Sequence, residues 1–286
     1  MDSQDNFTPA RGKLFIVATP IGNLADMTYR AVTTLQQVDW IAAEDTRNSR
    51  TLLQHYEIQT PMFACHEHNE AHVLTQIQQR LDQGESGALI SDAGTPLIND
   101  PGYRLVRQLR QSGYDIEPLP GACSPIVALC ASGLATDQFT YMGFLARSGK
   151  SRRQQLQAMA AATHTCVFLE SPRRLLNTLN DMAADMPQRE VCVARELTKL
   201  HESFVHGLLP EVVQHFEQHP PRGEIVVMLG AASGAKEVSE AQLLSHIQHM
   251  DDGTLSPSAL ARAVAQQCGV TRSVVYELLM QQKNDG

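Results

Sequence analysis

Three short loops rich in small residues have the make-up of a small-molecule site: Ala18-Thr19-Pro20-Ile21-Gly22-Asn23, Ser91-Asp92-Ala93-Gly94-Thr95-Pro96 and Pro120-Gly121-Ala122-Cys123-Ser124. Each follows an apolar run that reads as a buried strand. In open α/β sheets, ligands bind beyond the carboxyl ends of strands, where small residues let backbone approach closely. None of the three matches Gly-x-x-x-x-Gly-Lys-Ser/Thr or Gly-x-Gly-x-x-Gly, so the common phosphate cradles are missing. Loops of this kind suit a ligand with an adenosine but no phosphate. One such loop is ordinary turn chemistry; three, all after strands, point to a shared site. Asp92 reads either as a turn residue capping its own backbone or as an acceptor for a ligand amine or hydroxyl.

Two further segments carry groups that can move protons or hold ions. In Arg195-Glu196-Leu197-Thr198-Lys199-Leu200-His201-Glu202, Glu196, Lys199 and His201 could remove or redirect a proton, and Lys199 could steer a phosphate. The plain alternative is a solvated strand-to-loop corner with an internal ion pair. Cys65-His66-Glu67-His68-Asn69-Glu70, followed by His72, has His-x-His spacing, not the His-Glu-x-x-His of a zinc helix, and no metal site is expected. Asn69 reads there as a helix cap, and the segment as site-lining or in contact with nucleic acid. Asp45 is an ordinary cap candidate, while Arg47 and Arg50 could grip phosphates. Between Met142 and Asn180 stand Arg147, Lys150, Arg152, Arg153, Arg173 and Arg174 against the single acid Glu170. With a whole-chain charge of −8, such a local island implies confined, salt-sensitive binding of a polyanion, not a uniformly basic coat. A solvated helix start explains Arg152 and Arg153 equally well.

The elements that must position these groups follow from periodicity. Lys13–Thr19, Val38–Ala43, Pro61–Cys65, Gly87–Ser91 and Ile116–Leu119 read as short buried strands, separated by helical spacing at Tyr29–Gln37, Arg47–Tyr56, Glu70–Gln83 and Gly102–Ser112. That order predicts a layered α/β domain with a largely parallel sheet. The pattern restarts with strands at Phe139–Leu145, Thr165–Glu170, Glu190–Arg195 and Glu224–Leu229, and helices at Ser151–Ala162, Pro172–Ala184 and Leu209–Gln218. The expected divisions are a loose arm over 1–11, one α/β domain over 12–121, a second over 122–230, and a linker with a helical tail over 231–286. The boundary between the two α/β domains falls near Pro120–Ala135. In the tail, Ser239–Met250, Pro257–Cys268 and Arg272–Gln282 are helical, and ALARAVAQQCGVTRSVVYELL resembles a helix-turn-helix with Gly269 at the turn and Val270 as anchor. Four basic and six acidic side chains over 231–286 favour a packing module over a DNA reader.

The 286 residues are 43% hydrophobic and 19% charged, which excludes disorder and supplies two cores. No apolar run approaches a membrane span, and the opening MDSQDNFTPARGK lacks the pattern of a secretion signal. Six scattered cysteines without a Cys-x-x-Cys pair read as reduced thiols, which makes a cytoplasmic location the expectation.

The ordered blocks ATPIGNLADMT, AAEDTRNS, CHEHNE, SDAGTPLINDPG, PGACSPIVAL, GFL, ESPRR, RELTKLHE and RGE resemble the ribosomal-RNA ribose 2′-O-methyltransferase branch of the tetrapyrrole methylase superfamily. The resemblance covers about residues 12–230, and the helical tail also resembles that branch. It implies a two-domain class III methyltransferase architecture with a small all-helical C-terminal module. It also implies S-adenosyl-L-methionine folded into the cleft between the domains, a homodimer, and no membrane. The implied reaction is 2′-O-methylation of a cytidine in small-subunit (16S) rRNA near the decoding site, within an assembled or nearly assembled 30S subunit. Pro20, Asp92, Gly94, Thr95 and Ser124 take the positions of cofactor contacts, joined by Leu169, Glu170 and Ser171. The first loop departs from the superfamily's Gly-x-Gly-x-Gly-Asp-like form. Arg47, Arg50, Lys150, Arg152 and Arg153 are the RNA-binding candidates, and Glu196, Lys199 and His201 the catalytic ones. Methyl transfer from a sulfonium is an in-line displacement that needs positioning and no metal, and a base near the hydroxyl adds about 10²–10⁴-fold. The competing readings are the same fold acting on a tetrapyrrole or a protein side chain, and a ligand-sensing DNA-binding regulator.

Overall fold

A computed structural model describes residues 11–67, 69–232, 240–251, 255–268, 270 and 272–284. The first half runs β1 (Lys13–Val17), α1 (Tyr29–Gln37), β2 (Trp40–Ala43), α2 (Thr46–His55), β3 (Met62–Ala64), α3 (Glu70–Asp82), β4 (Gly87–Ile90), α4 (Tyr103–Gln111) and β5 (Asp115–Leu119). Its sheet has the order β3-β2-β4-β1-β5, with every pair parallel. Helices cover both faces, which is why the central strands WIAA and GALI are buried throughout instead of alternating. Val73, Ile77, Leu105 and Leu109 of α3 and α4 pack on one face. Ala31, Leu35, Leu52 and Leu53 of α1 and α2 pack on the other.

Helix starts are set locally. Thr28 and Asp45 accept from the backbone N–H groups of Ala31 and Arg47 and so cap α1 and α2. Asn69 stands at the N-cap position of α3, but its side chain turns back, accepting from the His66 N–H and donating to the Ala64 carbonyl. The expected cap is therefore a turn lock. Glu70 is buried and accepts from the Leu105 N–H at 2.6 Å. It thereby serves the first turn of α4, whose own N-cap is Gly102.

The second half runs α5 (Ser124–Ala131), β6 (Phe139–Phe144), α6 (Gly149–Ala161), β7 (Thr165–Glu170), α7 (Pro172–Asp185), β8 (Glu190–Arg195), β9 (Ser203–Leu208), α8 (Leu209–Gln218) and β10 (Ile225–Leu229). Its sheet order is β6-β7-β10-β8-β9. Only β6 and β7 are parallel; β10 runs antiparallel to β7 and β8, and β8 antiparallel to β9. Met159, Leu175, Val212 and Phe216 of α6, α7 and α8 cover one face. Ala128 and Leu129 of α5 cover the other, where Ile21 from the loop after β1 joins the same apolar cluster.

In the tail, α9 (Glu240–Met250), α10 (Pro257–Cys268) and α11 (Arg272–Asn284) share a small core of Leu243, Ile247, Leu260, Val264, Val275 and Leu279. Val270 packs against that core, and Gly269 lies outside the described residues. Among the described residues, no helix is long and apolar enough to cross a membrane.

Candidate active site

Because β4, β1 and β5 are neighbours in the first sheet, the three small-residue loops that follow them emerge side by side. They are stitched together. Thr19 and Gly94 exchange backbone hydrogen bonds of 2.9 and 3.0 Å. The buried Thr19 hydroxyl donates to the Ser91 carbonyl at 3.1 Å, and the Thr95 hydroxyl donates to the Ala122 carbonyl at 2.9 Å. In the second sheet, Ile225 at the start of β10 stands opposite Glu170 at the end of β7 and Arg195 at the end of β8. The two sets of strand ends meet around a cavity of about 400 Å³, within the range of small-molecule sites.

The first half contributes Ile21, Gly94 and Thr95 to its wall, the connection into α5 adds Cys123 and Ser124, and the second half contributes Leu169, Glu170, Ser171, Leu197 and Val226. Pro20 and Asp92 lie off this wall. The Asp92 carboxylate faces α2, accepting from the Asp45 N–H at 3.2 Å and the Asn48 amide at 2.8 Å. The Glu170 carboxylate is fully buried behind the wall. It accepts from the Ser171 N–H at 2.8 Å and the Thr178 hydroxyl at 2.7 Å, and lies 3.3 Å from the Arg174 guanidinium.

Arg195–Glu202 forms the turn between β8 and β9. Glu196 and Thr198 adopt left-handed backbone, with φ of 53° and 64°, a local strain of about 1–3 kcal/mol per residue that the surroundings must hold. What they hold is an ion cluster: the Lys199 ammonium lies 3.0 Å from Glu196 and 3.2 Å from Glu224. Its stem crosses Gly22 of the β1 loop so closely that a Cβ there would stand 2.5 Å from Lys199 Cγ. The Glu224 backbone N–H and the Lys199 ammonium draw the Glu196 carboxyl below its usual range. Burial opposes the charge on Lys199, but the two carboxylates outweigh it and raise its pKa. Both groups are charged at neutral pH, so the cluster acts as a fixed field. His201 is exposed on the same turn.

The basic island divides in two. Arg152 is mostly buried and committed to Asp181 at 2.7 Å and the Thr178 hydroxyl at 3.1 Å, while Arg174 donates to the Leu145 and Ala146 carbonyls. Arg147, Lys150, Arg153 and Arg173 are exposed and make no ion pair among the described residues. On the other half, Arg47 folds back on Asp45 at 2.6 Å, and Arg50 is exposed. His68 of the His-x-His segment lies outside the described residues, and no group of three metal-ligating side chains occurs among the described ones.

Several wall residues escape a reading of loops alone: Ile98, Asn99, Asp100, Tyr141, Phe144 and Glu224. Asn99-Asp100 and Glu224 do sit inside the blocks SDAGTPLINDPG and RGE, which is the signal that could have found them. Tyr141 had none. The wall carries Asp100, Glu170 and Glu224 but neither Lys nor Arg. Glu170 and Glu224 are paired with Arg174 and Lys199 behind it, so Asp100 is the carboxylate left to complement a cationic ligand.

This chain belongs to a methylase family: the family described as Tetrapyrrole (Corrin/Porphyrin) Methylases matches residues 13–213. Among its relatives, a protein of Synechocystis sp. named Ribosomal RNA small subunit methyltransferase I is 42% identical over 278 residues, covering 96% of this chain and 100% of that one. A protein of the same name from Haemophilus influenzae is 49% identical over 228 residues, covering 78% and 80% of the two chains. The same fold occurs in the crystal structure of uroporphyrin-III C-methyl transferase from Thermus thermophilus complexed with S-adenyl homocysteine. That likeness has a TM-score of 0.56 at 18% identity, over 77% of this chain and 97% of that one.

Proposed function

We propose that the protein transfers the methyl group of S-adenosyl-L-methionine to the ribose 2′-hydroxyl of a cytidine in small-subunit (16S) rRNA near the decoding site. It does so in the cytoplasm, as a homodimer acting on the assembled or nearly assembled 30S subunit. The observation that carries this reading is the likeness, over nearly the whole chain, to relatives named as small-subunit rRNA methyltransferases. The cavity fits the methyl donor. It has no cation on its wall, its carboxylates suit a sulfonium and an ammonium, and Ile21, Leu169, Leu197 and Val226 offer an apolar bed for a purine. Gly94, Thr95, Ser124, Leu169 and Ser171 would hold it, and when bound it supplies an electrophilic methyl group. Pro20 and Asp92 would act from behind by shaping the loops. Glu196 and Lys199 fix charge beside the acceptor strand, and His201 contacts RNA from the exposed turn.

The test is methyl transfer from labelled donor to purified 30S subunits, naked rRNA, tetrapyrrole precursors and protein extract, followed by nucleoside analysis. A 2′-O-methylcytidine from subunits or rRNA is the expected product; label confined to another acceptor would overturn the substrate.

The divided basic island yields a second expectation. Lys150→Ala combined with Arg153→Ala should leave the melting temperature unchanged, weaken RNA binding, and flatten its salt dependence by about one unit of slope for each phosphate no longer neutralised. Arg152→Ala should instead cost about 1–2 kcal/mol of stability in denaturant titration, because it removes the guanidinium that Asp181 and the Thr178 hydroxyl share. If Arg152→Ala proves the more damaging to the salt slope, Arg152 leaves Asp181 to bind RNA.

A further inference from the structure

The mouth of the cavity is distinct from its floor. Ile98, Asn99 and Phe144 are exposed, whereas Ile21, Gly94, Ile225 and Val226 are buried. Asp100, which follows Asn99 in the chain, and Tyr141 line the same cavity and are half-buried. The pairing of β6 with β7 shifts register between Tyr141 and Phe144, and irregularities of this kind re-aim side chains beside active sites. Here Phe144 faces solvent, while the Tyr141 hydroxyl is buried and finds no hydrogen-bond partner among the described residues. A buried hydroxyl left unsatisfied costs free energy that a ligand atom can recover.

Asp100 makes no ion pair among the described residues. The carboxylates that face it are Glu44, at the end of the β2 run, and Asp92 after β4; Ser91 and Tyr141 are its other polar neighbours. A half-buried carboxylate without a cation is a proton acceptor in search of a proton. The Glu196 carboxylate, by contrast, already has the Lys199 ammonium at 3.0 Å. Asp100 and Tyr141 thus share one cavity with the small-residue loops and with the exposed Phe144.

We propose that Asp100 is the proton acceptor for the acceptor hydroxyl and that the Tyr141 hydroxyl orients that hydroxyl, with Phe144 offering its face to the attached base. This rests on the methyl-transfer reading above. As the acceptor O–H bond breaks, its proton passes to the Asp100 carboxylate. The oxygen forms the new C–O bond to the methyl carbon, and the electron pair of the broken C–S bond stays on the sulfur of the sulfonium donor, leaving a neutral thioether. Base–aromatic stacking is the usual way a splayed nucleotide is held at such a mouth.

Burial pushes the Asp100 carboxyl up to about 6; Ser91 opposes this, and Glu44 and Asp92 add to it. An acid whose pKa is higher in the folded than in the unfolded chain loses folding stability as pH rises between the two values. Asp100→Asn removes that penalty. Ligand-free Asp100→Asn should melt about 2–4 °C above wild type at pH 8, with the gap closing toward pH 4.5. In single-turnover methyl transfer to subunits, wild-type rate should rise with pH through about 6. Asp100→Asn should lose that acid limb and about 10²–10⁴-fold in rate when both enzymes are saturated with donor. Tyr141→Phe should fold as well as wild type and lose about tenfold in kcat/KM for RNA, the loss of one good hydrogen bond.

An Asp100→Asn enzyme that keeps its rate and its acid limb overturns the assignment while the methyl-transfer reading stands. Wild-type protein that methylates no ribose hydroxyl overturns both. Equal melting of Asp100→Asn and wild type at every pH overturns the buried-carboxylate premise on its own.

Discussion

Glu170→Ala is expected to lower the unfolding free energy by about 3 kcal/mol and to abolish binding of the methyl donor. The reason lies in what the carboxylate does without touching the cavity. It is wholly buried, and it satisfies the Ser171 N–H, the Thr178 hydroxyl and the Arg174 guanidinium together. Arg174 in turn donates to the carbonyls of Leu145 and Ala146 after β6. Alanine would leave the Ser171 N–H without this acceptor and reduce Arg174 to its bonds with the Leu145 and Ala146 carbonyls, and losing one partner of a buried pair costs more than the pair itself is worth. The turn from Leu169 to Pro172 forms part of the cavity wall, so it should loosen in step. Urea titration measures the first effect, and calorimetry with S-adenosyl-L-methionine the second. Glu170→Gln keeps the shape and one acceptor oxygen and should fall about halfway. Normal stability in Glu170→Ala would mean that Arg174 finds water instead.

Gly94→Val should cost about 2–3 kcal/mol and weaken donor binding by at least about 100-fold. Gly94 has φ of 85°, a left-handed conformation that a β-branched residue resists. A Cβ at this position would stand 3.2 Å from Ile21 Cγ2, and the valine methyls would reach further into the wall. The residue also exchanges both backbone hydrogen bonds with Thr19, so relaxing the strain means breaking the stitch between two loops. Gly94→Ala should show the same trend at about 1 kcal/mol. A thermal melt beside calorimetry separates backbone strain from weakened binding. Full donor affinity in Gly94→Val would move the binding site away from this loop.

Periodicity alone places most of the elements. The first sheet was legible because a parallel sheet buried on both faces produces short continuous apolar runs such as WIAA and GALI, and its helices carry one apolar stripe each. Two elements were not legible. α5 (SPIVALCA) is nearly apolar all round and follows a Pro-Gly loop, so it lacks a helical stripe and reads as a connection between domains. β9 (SFVHGL) is only half-buried along its length, so it lacks both a continuous apolar run and clean alternation. The direction of β10 was also hidden. Nothing in the composition of a buried strand records whether its neighbours run with or against it.

For the site, residue type and order already point to the kind of ligand. Three small-residue loops without a phosphate motif, a turn dense in charge and a local basic island are properties of residue type and order, and the ordered blocks carry the family. How those groups are used depends on the three-dimensional packing. The adjacency of β4, β1 and β5 brings the loops together, and the antiparallel β10 sets Glu224 beside Lys199. Packing turns Glu170 and Arg152 inward as structural partners while leaving Lys150 and Arg153 free for solvent. Among the described residues it also leaves the buried Tyr141 hydroxyl unpaired and Asp100 without a cation. Solvation, hydrogen-bond satisfaction and field strength depend on which atoms become neighbours across long stretches of chain, and that is settled only when the two sheets close on one cavity.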